Sequence, residues 1–527
     1  MDIGLISLIL LFGMLFLLAI GMPLGFASGF LAALVMFLKF GPELLLRDFG
    51  TGPLNILAQR MYGLTTDYVL ISVPLFIFMA CLLERSGIAR DMYSSLNAWM
   101  SRTRGGIAVV TAVMAIVMAA MSGIIGGEVV LLGLIALPQM LRLGYDQNLA
   151  IGTICASGSL GTMIPPSIVL IFYGLITETS INALFKAAFL PGFLLAGCYI
   201  VYILIRTRLH PEQAPLPEPT GDELPFKTKC VLFVALIALT VLGIAVAYLI
   251  VEILQLVLDT IFPPEDATAE RATISWGMLL PFIGVPAILL AIIGVPRARL
   301  AWQMGKGLVA PLLVVGVVLG SIYGGIAAIT EAAAMGTVAV IVLIVLRGEF
   351  TVLLFREALM RTFKSTGTIL WVTFGATALA GAYSISGGPT YVANLIVGAD
   401  LPTMGILLVM MVIFLFLGAF MDWVGIVLLV MPVFLPIVMK LPIEELGLLG
   451  TLDPRHVGVW FGILFCVNMQ VSFLSPPFGP AAFYLKSVAP PHITLPDIFR
   501  GFLPFIGIQL FILTMVLFFP LITTVFL

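Results

Sequence analysis

Two pairs of adjacent prolines, Pro165-Pro166 and Pro476-Pro477, lie inside apolar stretches of this 527-residue sequence. A proline inside a helix removes a backbone donor and clashes with the carbonyl four residues earlier, so two in a row are expected to open the helix. Small or hydroxyl-bearing residues precede each pair. They are Gly158 and Gly161 in the first stretch, and Ser472 and Ser475 in the second.

Freed carbonyls, hydroxyls and half-helix ends are the groups that bind small cations inside membrane transporters. Each proline pair taken singly is explained equally well by a kinked packing helix. Two pairs in matching positions, each facing a polar turn, favour a cation site at each break.

Three carboxylates lie in or between apolar segments. Asp422 is in the middle of a segment, where an isolated charge costs roughly 2.5–3.5 kcal/mol on insertion scales, so we expect a bound cation or a polar cavity beside it. Glu128, six residues after Ser122, either faces a cavity or pairs with a neighbour. Thr330-Glu331 is typical of a helix start, where the positive end of the helix dipole favours Glu331, and this structural role is preferred over a functional one.

The sequence offers little for catalysis. Its three histidines, His210, His456 and His492, fall in predicted loops, and its five cysteines show no paired spacing. Membrane enzymes need a nucleophile with a base, or a metal site. The pattern therefore argues against an enzyme and against an organic cofactor.

Composition places these residues in a membrane protein. Apolar residues make up 61% of the chain and charged residues 10%, with a mean hydropathy of +1.19, whereas soluble proteins carry about 25% charged residues. The apolar runs are long and unbroken, which is typical of helices and not of barrel strands. We expect an all-α polytopic protein in a lipid bilayer, and no basic tract indicates nucleic acid.

The hydropathy pattern predicts fourteen apolar segments. They are 5–20, 22–39, 68–84, 106–140, 148–175, 182–205, 229–255, 274–296, 308–328, 331–346, 366–384, 403–439, 457–485 and 500–526. Segments 106–140 and 403–439 are too long for one crossing, and each has a polar centre. We interpret them as re-entrant hairpins, because non-helical backbone at membrane depth requires a protein or aqueous environment. Segments 148–175 and 457–485, which carry the proline pairs, are the predicted broken helices.

Positive charge predicts the orientation. With the N-terminus in the periplasm, seven of the 25 lysines and arginines fall outside, and the remaining 18 fall on the cytoplasmic side, as positively charged cytoplasmic loops require. The seven outer residues are Lys39, Arg47, Arg60, Lys186, Arg271, Lys440 and Arg455.

An internal repeat relates the two interrupted regions. Met121-Ser122 matches Met421-Asp422 at an offset of 300, and Cys155 through Tyr173 matches Cys466 through Tyr484 at an offset of 311. Each half reads as helix, hairpin and broken helix. An odd number of reversals between them makes the copies inverted in the membrane.

These motifs together resemble the large membrane subunit of tripartite ATP-independent periplasmic (TRAP) transporters, over nearly the whole chain apart from about 210–300. The residues that carry the resemblance are Met121 to Gly123, Gly144 to Asp146, Gly161 to Ser167, Tyr173-Gly174, Gly324 to Ile326, Thr330 to Ala333, Gly418 to Asp422, Asn468 to Pro477 and Gly479 to Pro490.

The resemblance implies sodium-coupled import of a small organic acid by an elevator mechanism in the bacterial inner membrane. It also implies two partners, a small four-helix membrane subunit and a periplasmic substrate-binding protein. One sodium site is then expected at Ser122, Gly123, Gly158, Gly161, Thr162 and Pro165. The other is expected at Asp422, Gly425, Asn468, Ser472 and Ser475, with Ser122, Gly123, Asp422 and Asn468 as the principal ligands. Substrate is expected between the hairpin tips, near Pro166, Ser167, Pro476, Pro477 and Gly479.

The resemblance also implies a division into scaffold and transport segments. N-terminal scaffold helices span 1–67 and a first transport repeat spans 68–175. Further scaffold helices span 176–365 and include two additional apolar segments at 229–255 and 274–296. Independently of the resemblance, the stretch 210–224 carries Pro211, Pro215, Pro217 and Pro219 among acidic residues, which predicts an extended, exposed cytoplasmic linker. A second transport repeat spans 366–485, and a C-terminal helix spans 486–527.

Two features depart from the family pattern. Gln470 replaces a usual acidic residue, and the stretch 210–300 is longer than in most members. A stand-alone ion-coupled anion carrier of the same architecture, without a binding protein, remains the alternative.

Overall fold

The computed structural model describes residues 2–41, 52–100, 103–123, 125–216, 224–261, 276–398, 401–447, 452–477 and 479–527. Within these ranges the secondary structure is α-helix with short 3-10 turns, and no strand occurs.

The first eleven helices include the two that flank the first pair of prolines. The eleven are α1 (Ile3–Ala19), α2 (Leu24–Phe40), α3 (Pro53–Thr65), α4 (Ser72–Arg85), α5 (Ile88–Met100), α6 (Gly106–Ser122), α7 (Gly127–Arg142), α8 (Gln147–Ser159), α9 (Ile168–Thr177), α10 (Ile181–Leu209) and α11 (Phe226–Ile261). The first pair of prolines lies between α8 and α9. The remaining helices are α12 (Trp276–Ile293), α13 (Val295–Tyr323), α14 (Ile329–Leu346), α15 (Val352–Ile385), α16 (Gly388–Val397), α17 (Thr403–Gly418), α18 (Trp423–Val438), α19 (Val457–Leu474), α20 (Pro480–Lys486), α21 (Leu495–Phe518) and α22 (Leu521–Thr524). The second pair of prolines lies between two of these, α19 and α20.

Eight of the described helical spans are long and apolar enough to cross a bilayer. The hairpin limbs α6, α7, α17 and α18 are shorter, at 16 or 17 residues each. At 1.5 Å per residue they extend about 24–26 Å, less than the roughly 30 Å of a hydrocarbon core. The predicted all-α polytopic fold, with two hairpins and two interrupted helices, is confirmed.

The chain forms two compact units. One comprises Met1–Ala89, Arg104–Leu216 and Pro311–Leu527, and the other comprises Arg90–Thr103 and Pro217–Ala310. In the smaller unit, α11 packs on α12, and the rings of Trp99 and Phe233 meet edge to face at 5.7 Å. The additional helices predicted at 229–255 and 274–296 correspond to α11 and α12, and residues 274 and 275 lie outside the described part.

In the larger unit, α19 forms the centre, because every residue of this helix except Gly458 is buried. It packs against α17 and α21, and the Trp460 indole donates to the Val516 carbonyl at 2.9 Å. Short polar side chains start the neighbouring helices. Asp146 caps α8 by accepting from the Leu149 amide at 2.9 Å, and Thr494 and Asp497 form a capping box on α21, as N-terminal amides require.

The start of the 210–224 linker differs from the sequence expectation of an extended, exposed connector. Pro211–Gln213 forms a 3-10 turn, and Ala214 is fully buried. The Asp146 amide donates to the Gln213 carbonyl at 2.8 Å, and the Arg206 guanidinium donates to the Gln213 side chain at 2.7 Å. These bonds hold the turn against the start of α8. Residues 217–223 lie outside the described part of the chain.

Hydropathy alone also misplaced some helix bounds. α15 begins at Val352, well before the predicted segment 366–384, because Thr351 caps it by accepting from the Leu354 amide at 3.1 Å. α5 was not predicted as a segment, since its polar residues lower its hydropathy although Met92 is buried.

The structure repeats the order hairpin, long half-helix, short half-helix. α6, α7, α8 and α9 correspond to α17, α18, α19 and α20, and both proline pairs contain a cis peptide bond. The predicted equivalence of Ser122 and Asp422 is wrong by four residues. α7 starts at Gly127 and α18 at Trp423, 296 residues later, so Ser122 ends the entering limb whereas Asp422 precedes the returning one.

Candidate functional site

The first break separates α8 from α9. α8 ends at Ser159, a 3-10 turn covers Leu160–Thr162, and α9 starts after Ser167. The Ser167 hydroxyl caps α9 by accepting from the Leu170 amide at 3.4 Å, and it donates to the Thr162 carbonyl. All residues from Gly158 to Ser167 are buried, so the break is inside the protein.

The tip of the first hairpin closes on this break. Gly123 is in the left-handed region, at φ 66°, and its carbonyl accepts from the Ile168 amide at 3.1 Å. A Cβ on Gly123 would lie 2.6 Å from the Pro166 carbonyl oxygen. The structure thus places Gly123 against Pro166 and Ile168, beside Ser167. The first sodium site, at Ser122, Gly123, Gly158, Gly161, Thr162 and Pro165, stays a prediction.

The second break separates α19 from α20. The Ser475 hydroxyl donates back to the Val471 carbonyl at 2.8 Å, and Gly479, at φ 25°, precedes α20. Two contacts join α19 to the entering limb of the second hairpin. The Asn468 amide donates to the Met411 carbonyl at 3.0 Å, and the missing side chain of Gly418 leaves room for Ser472.

Asp422 occupies the N-cap position of α18 and is half-buried. Within the described residues its carboxylate makes no hydrogen bond to Asn468, Ser472 or Ser475. Gly425 lies in the first turn of α18, where a Cβ would meet the Leu24 side chain at 2.6 Å. The assignment of Asp422 and Gly425 to a shared site with Asn468 stays a prediction.

Thr162 joins the first break directly to α19, the helix that leads to the second break. Its hydroxyl accepts from the Gln470 amide at 2.6 Å, and its carbonyl accepts from the Cys466 thiol at 3.1 Å. Sequence reasoning treated Gln470 only as a departure from a family pattern. The link was not predictable from sequence, because Gln470 and Thr162 are 308 residues apart.

Each hairpin also contacts the short half-helix of the opposite repeat. The Tyr484 ring of α20 lies 3.1 Å from where a Cβ on Gly126 would be. The Phe172 ring of α9 meets Trp423 of α18 edge to face at 5.7 Å. These reciprocal contacts join the two repeats. The first break is buried, whereas at the second break Ser475 is half-buried and Pro476 and Pro477 are exposed.

The buried polar atoms near the breaks fit a hard cation. Several side-chain oxygens on the helices next to the breaks are buried without a hydrogen-bond partner among the described residues. They are Oε2 of Glu128 on α7, Oγ1 of Thr153 and Oγ of Ser157 on α8, and Oδ1 of Asn468 and Oε1 of Gln470 on α19. Further oxygens of this kind, such as Oε1 of Gln509, occur on other helices. Buried oxygens without a donor are costly, and carboxylate, amide and carbonyl oxygens are the ligands of hard cations. These oxygens are compatible with a hard cation near the breaks. Only Asn468 among them belongs to the sodium ligands predicted from the sequence, and that ligand set stays a prediction.

Replacing Thr162 by valine is expected to destabilise the protein by about 1–3 kcal/mol, because the buried Gln470 amide loses its acceptor. The measurement is thermal unfolding of the purified protein. Combining the change with Gln470→Met should cost less than the sum of the two single changes, since the two residues share one bond.

Thr514→Val is the matched control. Thr514 donates within its own helix to the Leu510 carbonyl at 2.8 Å, on an exposed surface, and this change is expected to be nearly neutral. Strictly additive effects of the Thr162 and Gln470 changes would contradict the coupling.

Comparison with known proteins agrees with this architecture. The family model described as "Tripartite ATP-independent periplasmic transporter, DctM component" matches residues 11–522. The C4-dicarboxylate TRAP transporter large permease protein DctM of Pseudomonas aeruginosa is 27% identical, over 90% of this chain and 89% of that protein.

Two further relatives are named for other solutes. The sialic acid TRAP transporter large permease protein SiaM of Vibrio cholerae is 24% identical, over 97% of this chain and 96% of that protein. The ectoine/5-hydroxyectoine TRAP transporter large permease protein UehC of Ruegeria pomeroyi is 26% identical, over 88% of this chain and 87% of that protein. With a family model matched across nearly its whole length, this multi-pass membrane chain belongs to the DctM family, the large permease subunits of TRAP transporters.

Proposed function

We propose that this permease subunit imports a small organic acid across the bacterial inner membrane and that sodium drives the import. The observation that carries the proposal is the pair of helix breaks. The first break is closed by a hairpin tip, the other hairpin packs at Gly418 against Ser472 on the helix that leads to the second break, and buried oxygens without hydrogen-bond partners lie on the adjoining helices. Sodium would be held by Ser122, Gly123, Gly158, Gly161, Thr162 and Pro165 at the first break. At the second break it would be held by Asp422, Gly425, Asn468, Ser472 and Ser475.

The driving force is adequate for accumulation. Each sodium ion that enters contributes about 2.3 kcal/mol per 100 mV of membrane potential. Two ions, one at each break, would therefore concentrate an anionic solute against its gradient.

Substrate would bind between the hairpin tips, near Pro166, Ser167 and Gly479. The apolar cavity of about 270 Å³ beside Met421 is a poor alternative for an acid, because its two hydroxyls, on Ser7 and Tyr383, bond to each other at 2.8 Å. Relatives are named for a C4-dicarboxylate, sialic acid and ectoine, so the class proposed here is a small carboxylate, with the individual acid left to the binding protein.

Movement would follow an elevator mechanism. The two repeats, 68–175 and 366–485, would carry the bound solute as a transport domain past scaffold helices contributed by 1–67 and 176–365, with the C-terminal helix in 486–527. The copies would be inverted in the membrane, with the N-terminus in the periplasm. A small four-helix membrane subunit and a periplasmic substrate-binding protein would complete the assembly.

Reconstituted transport tests the proposal. The chain, together with its membrane and periplasmic partners, is placed in liposomes with a labelled organic acid bound to the periplasmic protein. Uptake is expected with an inward sodium gradient and should fall to background when potassium replaces sodium. Equal uptake without a sodium gradient would refute sodium coupling.

The same vesicles also test the alternative that this chain is a stand-alone carrier, which needs no binding protein. If this chain worked without a binding protein, free acid would be taken up at the same rate when that protein is omitted. We expect omission to abolish uptake, in line with relatives that are named as TRAP permeases.

A further inference from the structure

Glu128 is a fully buried carboxylate beside the first break. It is the second residue of α7, after Gly127. Its Oε1 atom accepts a hydrogen bond from the Ser122 hydroxyl. Its Oε2 atom has no hydrogen-bond partner among the described residues. One oxygen of this carboxylate therefore accepts a hydrogen bond from a predicted sodium ligand, Ser122. The other oxygen contacts neither a cation nor a hydrogen-bond donor among the described residues.

The neighbouring positive charge is already paired. Glu84, on α4, lies against the start of α7, since a Cβ on Gly127 would overlap its carboxylate. Glu84 in turn accepts from the Arg361 guanidinium at 2.9 Å. Tyr484 of α20 presents its ring to Gly126 at the hairpin tip. Within the described ranges no lysine or arginine forms an ion pair with Glu128.

A buried carboxylate without a counter-charge is strongly unfavourable. The N-terminus of α7 offsets part of this penalty, because its amides carry partial positive charge. The Ser122 hydroxyl supplies one hydrogen bond. Neither provides a full positive charge, and Oε2 is left without a partner. A monovalent cation bound beside Ser122 would supply that charge and occupy that oxygen.

We infer that Glu128 is the anionic ligand of the first cation site and that it sets the net charge of that site to zero when one monovalent ion is bound. The inference rests on the proposed sodium coupling and extends it to a residue outside the ligand set predicted from sequence. Hydroxyl and carbonyl oxygens alone would leave a bound ion uncompensated in a buried region.

The second hairpin has a corresponding feature. Asp422 immediately precedes α18, and Glu128 is two residues into α7, so each returning limb carries one carboxylate at its start. The two are not at equivalent positions, because Asp422 corresponds to Gly126 when the starts of α7 and α18 are aligned. One carboxylate for each break matches one monovalent cation for each break.

The test is the effect of sodium on the thermal unfolding of the purified full chain, with choline replacing sodium at constant ionic strength. In E128Q the side chain keeps its size and its ability to accept from Ser122 but loses its charge. We expect the sodium concentration for half-maximal stabilisation to rise at least tenfold in this variant. In choline, its melting temperature should equal or exceed that of the wild type.

The matched control is E331Q. Glu331 also lies in the first turn of a helix, α14, and accepts from a hydroxyl, that of Tyr68, at 3.0 Å. It is far along the chain from either break and should keep the wild-type sodium response. E128D keeps the negative charge on a side chain that is one methylene shorter, so we expect it to lose part of the sodium affinity. It serves as the test variant if E128Q does not accumulate.

Three results would overturn the inference. A lower melting temperature of E128Q in both salts, with an unchanged sodium response, would assign Glu128 to capping of α7 alone. An unchanged sodium affinity in E128D would do the same. A wild-type chain that shows no stabilisation by sodium would overturn the proposed sodium coupling and the inference with it, and this outcome is distinct because it appears before any substitution is made.

Discussion

Replacing Gly123 by alanine is expected to abolish most transport and to lower the melting temperature. Gly123 adopts a left-handed conformation, at φ 66°, which costs other residues about 1–2 kcal/mol. The new Cβ would also lie 2.6 Å from the Pro166 carbonyl oxygen. This oxygen belongs to backbone and cannot rotate away, so overpacking should add about 1–3 kcal/mol.

The clash lies where the hairpin tip meets the first break. Separating the two would stretch the 3.1 Å bond between the Ile168 amide and the Gly123 carbonyl. Destabilising the transporting conformation by about 1.4 kcal/mol lowers the transport rate roughly tenfold. We therefore expect the rate of sodium-driven uptake to fall at least about tenfold. Uptake into proteoliposomes and thermal unfolding are the two measurements.

Two further variants separate the causes. Gly123→Asn tolerates the left-handed conformation better than alanine does but retains the clash, so it should remain impaired. Gly197→Ala is the control, because Gly197 lies within α10 and a Cβ there would meet nothing within 4 Å. That change should be neutral or slightly stabilising. Wild-type uptake by Gly123→Ala would contradict the close approach of tip and break.

The positions of hairpins and breaks were predictable because their causes are local. The segment predicted at 106–140 is observed as α6 and α7, ending at Arg142, and the segment predicted at 403–439 is observed as α17 and α18, ending at Val438. Proline pairs interrupt helices wherever they occur, and long apolar runs must be helical in lipid. These rules need no knowledge of distant residues.

The register of the hairpin tips was not predictable in the same way. Aligning Met121-Ser122 with Met421-Asp422 compares residue types only, whereas the backbone conformation determines where each helix ends. Gly123 and Gly126, both with positive φ, define the first tip, while Asp422 at an N-cap ends the second. The second tip therefore turns with different residues, and the sequence offset of 300 does not hold there.

The contacts that join the breaks were beyond sequence reasoning for another reason. Whether Glu128 faces a cavity or a neighbour could not be decided from its spacing, since both choices put it on the returning limb. The structure pairs one of its oxygens with Ser122. Likewise, the bond from Gln470 to Thr162 depends on how two helices from different repeats cross, which no local pattern encodes.

Removing the charge of Asp422 is expected to weaken sodium binding at the second break while leaving the fold intact. Asparagine is as good an N-cap as aspartate, so Asp422→Asn should preserve the start of α18. A hydrogen bond or contact to a charged group contributes about 1.5–3 kcal/mol. Each 1.4 kcal/mol is tenfold in affinity, so the sodium concentration for half-maximal uptake should rise by roughly 10- to 100-fold.

Asp453→Asn is the matched control, because Asp453 also occupies the N-cap position of a helical turn, Pro454–His456, but in an exposed loop. Its hydrogen bond from the Arg455 side chain lowers the pKa of Asp453 to about 2, so this substitution likewise removes a full charge. The control should keep the sodium dependence of the wild type. If Asp422→Asn were equally unaffected, the second carboxylate would have no part in coupling. If the melting temperature of Asp422→Asn fell in choline as much as in sodium, a structural role of Asp422 at the start of α18 would account for its presence, because loss of a ligand weakens only the sodium-bound state.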